Sequence, residues 1–265
     1  MTRLVRNFPG LTTYAVLYLV FLYVPVLLLP LFSLNDGTIV AFPIKGFTLK
    51  WYAELVGQEA LLQSLVNSLI VGGVTALLAT SLGMFAARAY VRNRFTGREF
   101  SEALVMLPLV VPGIIVASSF LVLFLSIGLK PSLTAVILGH TFLTVPFAVA
   151  IMKSAFDEFD PALEEAAYDL GETVFGTFRR VTVPIVAPGI VASFLVTFTV
   201  SFDEFILAFF LGGDQPTLPV YIWSQIRFPA KLPNTLALGS CLLAFSVVLL
   251  VTAEFFRRRS AKSGS

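Results

Sequence analysis

The sequence predicts an all-α polytopic membrane protein with about six transmembrane helices in a single domain over residues 1–265, and three observations carry that prediction. Residues are 57% hydrophobic and 13% charged, about half the charged share of a soluble domain, too few to cover a water-soluble globule. Six apolar runs are each long enough to cross a hydrocarbon core as a helix, which takes about 20 residues. Lys and Arg alternate between dense and sparse connecting segments, as the topology of an inserted chain requires.

The runs lie near 12–33, 62–88, 103–126, 132–153, 187–211 and 235–256. Helices are the default for each, because a spanning backbone must satisfy its own hydrogen bonds in lipid. The first run follows Arg3 and Arg6 but extends to Leu34 without a small-residue cleavage pattern, so it is expected to be a retained span. In the third, Pro108 and Pro112-Gly113 predict a kink facing the interior. The fourth is diluted by His140, Thr141, Thr144 and Pro146, and a hydrogen-bonded structural role is expected for the lone His140.

With a cytoplasmic N-terminus, the inner segments hold Arg3, Arg6, Arg88, Arg92, Arg94, Arg98, Lys153, Arg179, Arg180, Arg257, Arg258, Arg259 and Lys262 of the 18 basic residues. The outer segments hold only Lys45, Lys50, Lys130, Arg227 and Lys231. This bias places both termini in the cytoplasm. Glu254, near the inner end of span six, is expected to reach the headgroups or pair with the nearby arginines. A net charge of +2 gives no reason to expect nucleic-acid binding, and Cys241, the only cysteine, excludes an intramolecular disulfide and a cysteine metal site. In the outer segment 35–61, Thr48 is expected to cap a short helix bearing Trp51 and Tyr52, which suit the headgroup layer as an anchor.

The most polar long stretch joins spans four and five, about residues 154–186. Asp160-Pro161 reads as a helix start, with an N-cap acceptor followed by a residue whose missing N–H is harmless at N1. Leu163, Ala166, Ala167 and Leu170 then recur on one helical face. Gly171 is expected to end that helix in the left-handed conformation, and Thr173 to cap a second one presenting Val174, Phe175, Phe178 and Val181. Pro184 is expected to end the second helix before the fifth span. From the residues alone, this helix–glycine–helix is either a docking element or an ordinary connection.

Glu165-Ala166-Ala167, Gly171 and, after nine residues, Val181-x-Val183-Pro184 resemble the EAA motif of ABC importer permeases with the type I fold. The resemblance extends over most of the chain. Phe47-Thr48-Leu49-Lys50-Trp51-Tyr52, Asn67-Ser68-Leu69 and Ser201-Phe202-Asp203-Glu204 make it similar to the polyamine (spermidine/putrescine) branch, and opine and amino-acid importers share much of that pattern. The resemblance implies a bacterial inner-membrane permease whose loop seats in an ATP-binding subunit. Glu164, Glu165, Ala166, Ala167, Asp169, Gly171 and Pro184 become the ATPase-coupling residues. The implied partners are a sister permease, two copies of the ATP-binding subunit and an extracytoplasmic solute-binding protein, within membrane lipid. The chain is not expected to be an enzyme or to bind a cofactor. It carries no Gly-x-x-x-x-Gly-Lys-Ser/Thr loop, so ATP and Mg belong to the partner.

Asp203 and Glu204 sit within the fifth span, where an ionised carboxylate costs about 3 kcal/mol unless it is paired or wetted. They are candidates for a cation pathway, for pairing with Arg or Lys of the sister permease, or for fixing a helix break. Phe202, Phe205, Tyr221 and Trp223 are candidate cation–π surfaces or simple packing, and Gln63 and Asn67 line the same cavity or bond across helices. An ion-coupled carrier would not need the Glu165–Pro184 loop. An intramembrane metalloprotease needs two histidines in its motif, and the chain has one histidine in all.

Overall fold

A computed structural model of the chain describes residues 9–37, 41–44, 46–244 and 247. Arg3, Arg6, Lys45, Glu254, Arg257, Arg258, Arg259, Lys262 and the far half of the sixth run lie outside them. Among the described residues the structure is helical, with one isolated bridge between Asn35 and Phe47. Four helices are long and apolar enough to cross a membrane, or five if one bent pair counts as a span. The chain groups into two compact units, residues 1–59 with 222–265 and residues 60–221.

The first unit contains α1 (Pro9–Ser33), α2 (Lys50–Val56), a 3₁₀ turn (Pro229–Lys231) and a helix over 232–244 where the sixth run begins. Thr48 Oγ1 accepts from the Lys50 N–H at 3.2 Å, as a cap residue should. The anchor expected of Trp51 and Tyr52 does not form. Trp51 is buried and donates from its indole to Asn35 O at 2.8 Å, and the Tyr52 hydroxyl lies 2.5 Å from Ser33 Oγ. Both polar handles find partners at the end of α1, so the rings turn inward and leave Leu49 and Val56 on the surface.

The second unit holds the remaining long helices. Helix α3 (Glu59–Arg92) runs 34 residues, about 51 Å at 1.5 Å per residue. The expected third span is two helices, α4 (Arg98–Met106) and α5 (Gly113–Ser126), with their axes bent by 100°. The break is deeper than a kink because two prolines act within five residues. Pro108 opens a 3₁₀ turn, and Pro112 takes ψ 130° with no N–H to give, so neither ladder continues. The collinear piece that remains, α5, is about 21 Å long, short of a hydrocarbon core.

Helix α6 (Leu133–Asp157) starts from a Ser132 side-chain cap. Its diluting residues His140, Thr141, Thr144 and Pro146 are buried, so they face protein rather than lipid. Next come α7 (Ala162–Asp169) and α8 (Val174–Thr177), then a π-helical turn (Phe178–Thr182) leading directly into α9 (Val183–Asp203). Pro184 therefore does not end the second short helix. The wider π turn immediately before it absorbs the missing N–H, and one helix runs 30 residues from Val174 to Asp203. Beyond a break, α10 (Ile206–Leu211) precedes α11 (Leu218–Ile226).

Close packing in this unit uses small residues, as membrane helices do where nothing but shape and hydrogen bonds draws them together. A Cβ added at Gly83 of α3 would lie 2.5 Å from Ala148 Cβ of α6, and one at Gly189 of α9 would lie 2.5 Å from Ala155 Cβ of α6. Thr80 and Ser193 hydroxyls pair across α3 and α9 at 3.2 Å. One core, including Val71, Val116, Phe124, Val136, Leu207 and Leu211, joins α3, α5, α6 and α10. A second, of Ala87, Met152, Phe156, Phe159 and Val186, lies beneath the α7–α8 loop.

Candidate functional site

The α7–α8 loop is built as a stiff joint. Asp160 Oδ1 accepts from the Ala162 N–H at 2.9 Å, which starts α7. Gly171 takes φ +84°. Around it the Gly171 N–H reaches Tyr168 O at 2.9 Å and the Glu172 N–H reaches Ala167 O at 3.0 Å, the paired closure of a Schellman cap. Thr173 Oγ1 accepts from the Gly176 N–H at 3.1 Å and opens α8. Each terminal bond anticipated from the residues is therefore made.

The apolar face of α7 does not pack inward. Leu163 is 45% exposed, Leu170 89%, Val174 70% and Phe175 73%, and Ala166, Glu165 and Asp169 are exposed beside them. Exposed apolar side chains grouped on one short loop mark a surface meant to be covered. Pro184 is exposed at the start of α9, away from this surface in the chain.

Glu164 behaves differently from its neighbours. It is 8% exposed, accepts from Thr182 Oγ1 at 2.5 Å, and lies 3.2 Å from Arg88 Nη2 and 3.9 Å from Arg92 Nε. The arginines lie over Phe178 and Phe159 at 4.9 Å, and Arg92 also donates to Phe159 O at 3.2 Å. Helix phase could have placed Arg88 and Arg92 on one face of α3, but nothing in the loop's own pattern marks Glu164 as the inward acid.

At the end of α9, the candidate pathway residues separate. Asp203 is exposed, and its carboxylate has no partner among the described residues. Glu204, at ψ 122°, leaves the helix and caps α10. Its Oε1 accepts from the Ile206 N–H at 3.0 Å, and its Oε2 from the Leu207 N–H at 2.8 Å and the Ala208 N–H at 3.3 Å. His140 Nε2 lies 3.3 Å from the same Oε2, and His140 Nδ1 is 2.8 Å from Ser201 Oγ. Glu204 thus fixes a helix break, the structural alternative open in the sequence.

Asn67 is buried, accepts from Gln63 Nε2 at 3.0 Å and donates to Pro216 O at 3.0 Å, while Ser68 Oγ accepts from the Leu218 N–H at 2.7 Å. These residues hold the 216–218 turn against α3. Phe202 stacks on Phe198, and Phe205 meets Phe209 in a tilted pair. Tyr221 is buried, which raises its hydroxyl above the usual range. Trp223, in the other unit, lies beneath the Arg227 guanidinium at 4.3 Å.

Comparison with known proteins matches residues 79–262 to the family described as "Binding-protein-dependent transport system inner membrane component". The chain is 30% identical over 246 residues to the spermidine/putrescine transport system permease protein PotC of Escherichia coli K12, covering 92% of each. It is 30% identical over 250 residues to the putrescine permease PotI of the same organism, covering 91% of this chain and 88% of that one. It is also 36% identical over 211 residues to a probable molybdenum ABC transporter permease of Haloferax volcanii, covering 75% and 77%. Among solved structures, a bacterial alginate ABC transporter in complex with a pentasaccharide-bound periplasmic protein superposes with a TM-score of 0.71 at 19% identity, covering 94% and 92%. The helical architecture, the outward-facing loop and these matches together give one conclusion: the chain belongs to the binding-protein-dependent inner membrane component family and is a transmembrane permease subunit of an ABC importer.

Proposed function

We propose that the α7–Gly171–α8 joint is the seat of an ATP-binding subunit and that the permease carries a polyamine or related amino compound. The observation that carries the first half is the exposed rim of Leu163, Leu170, Val174 and Phe175 on a loop whose backbone ends are all capped. Such a rim costs free energy in water, roughly 25 cal/mol per Å² left uncovered, and a partner would cover it. Glu165 and Asp169 beside it offer carboxylates to basic residues. The loop lies on the side richest in Lys and Arg, so it faces the cytoplasm together with both termini. ATP and Mg belong to two copies of that subunit. A sister permease completes the passage, and an extracytoplasmic binding protein delivers solute.

For the solute, Asp203 is the supporting residue. An unpaired carboxylate at the end of a span is tolerated where water reaches it, and it suits a cationic load between Phe202 and Phe205. The names of the PotC and PotI relatives agree. The 36% identity to a probable molybdenum permease favours a second reading, an oxyanion load, which Asp203 would repel. Opines and amino acids are further candidates.

The complete complex in proteoliposomes, offered spermidine, putrescine, amino acids, opines and molybdate, separates these readings. The expected result is ATP-dependent uptake of polyamines by a permease that co-purifies with its ATPase. Uptake with no ATPase bound would sink the docking half, and uptake of molybdate alone would sink the polyamine half.

A further inference from the structure

Glu164 is the acid of the loop that turns away from the exposed rim, and its surroundings give it a separate task. We infer that Glu164, Arg88 and Arg92 form a positioning node that ties the docking loop to α3, so that one displacement of the loop drives α3 together with the spans the loop adjoins. This rests on the docking reading above.

The covalent path from the loop leads through α8 and the π turn into α9, and by residues 158–161 back into α6, but not into α3. Among the described residues, α7 reaches the end of α3 through the side chains of Glu164, Arg88 and Arg92. Those side chains are charged, mostly buried and converge: Glu164 Oε1 takes Arg88 Nη2 at 3.2 Å and the Thr182 hydroxyl at 2.5 Å, while Oε2 faces Arg92 Nε at 3.9 Å. Thr182 belongs to the root of α9, so a single carboxylate is shared between two spans. Phe178 and Phe159 lie against the arginines and keep water from the pairs, which strengthens attraction at these distances. Beneath them Ala87, Met152, Phe156 and Val186 are close-packed, so the node cannot yield by local collapse. Glu165 is exposed one residue away, so the motif's two neighbouring acids separate a partner-facing charge from an inward one.

The test uses the complete transporter in proteoliposomes with three readouts: ATPase bound per permease, ATP hydrolysed, and solute moved per ATP. Glu164→Gln and Arg88→Gln are expected to keep the ATPase bound while solute per ATP falls about tenfold, the range of a 1–3 kcal/mol coupling. The exchange R88E/E164R, which keeps the node's net charge, is expected to recover most of that ratio. A fold defect alone would not lower solute per ATP and then restore it. Normal coupling in Glu164→Gln overturns the node, as does an exchange no better than its parents. Loss of bound ATPase in Glu164→Gln also overturns it, by making Glu164 a docking contact, while leaving the docking reading intact. Should Glu164→Gln not accumulate, Thr182→Val and Arg88→Lys carry the test, with lowered solute per ATP expected and unchanged coupling in both overturning the proposal. A wild-type complex that holds no ATPase would instead refute the docking reading itself.

Discussion

Gly171 isolates the contribution of backbone geometry to coupling, because its surroundings remove every other term. Its φ is +84°, yet a Cβ added there would meet nothing within 4 Å. The cost of a side chain is therefore conformational alone, about 1–2 kcal/mol for an L-residue in the left-handed region, larger for a β-branched one and smaller for Asn. Two bonds are at stake, Gly171 N–H to Tyr168 O and Glu172 N–H to Ala167 O. Since 1.4 kcal/mol is a factor of ten, the properly turned fraction of loops falls by up to roughly tenfold in Gly171→Ala wherever the turn has little margin. ATP-driven uptake by the reconstituted complex should then fall in the order Gly, Asn, Ala, Val, with the amount of protein in the membrane unchanged. Equal uptake by the Ala and Val variants would refute the reasoning. So would an Asn variant as poor as Val, because then size at the docking surface, not backbone hand, would be limiting.

Leu170→Glu and Phe175→Glu put charge on the exposed rim and should release the ATPase on affinity purification, while each permease stays folded by thermal scanning. Asp203→Asn should lower polyamine uptake several-fold with the ATPase still bound. Glu204→Gln should instead lower the melting temperature, since three N–H groups lose a charged acceptor worth about 1.5–3 kcal/mol per bond. Gly83→Ala should destabilise by about 1–3 kcal/mol through overlap with Ala148. Gly73→Ala, which meets nothing within 4 Å, should be neutral or mildly stabilising by helix propensity, so equal melting temperatures for the two would contradict the packing described.

The local signals in the chain were legible wherever one residue type determines a backbone outcome. Asp160, Gly171 and Thr173 cap and turn as their chemistry dictates. Signals that depend on tertiary partners were not. Trp51 and Tyr52 look like headgroup anchors until Asn35 O and Ser33 Oγ are placed beside them. Pro184 looks like a terminator because a π turn leaves no mark in hydrophobic periodicity. The two prolines of the third run announce a bend but not its 100°, which depends on α10 packing against α5. At the candidate sites, residue type marked the apolar side chains that the α7–α8 loop exposes, whereas the surroundings of Glu204 and Asn67 depended on which N–H groups and carbonyls the fold brought near them.

Two pairs of adjacent acids, Glu164-Glu165 and Asp203-Glu204, show the same division of labour for a common electrostatic reason. Like charges side by side repel, and burying both would add a desolvation cost to each. The fold separates them. In α7 the roughly 100° step between successive residues turns Glu164 onto two arginines and Glu165 to the surface. At the end of α9 the helix stops, so Glu204 swings onto the N–H groups of α10 and Asp203 keeps the last helical, exposed position. In each pair the buried acid is held by several donors and rigidifies the place where the chain changes direction. That rigidity fixes the direction of the exposed acid, which is then available to a partner or a solute. Under the proposed function, each adjacent acidic pair of this permease is one bolt and one probe. Removing the bolt should cost structure or coupling, and removing the probe should cost recognition.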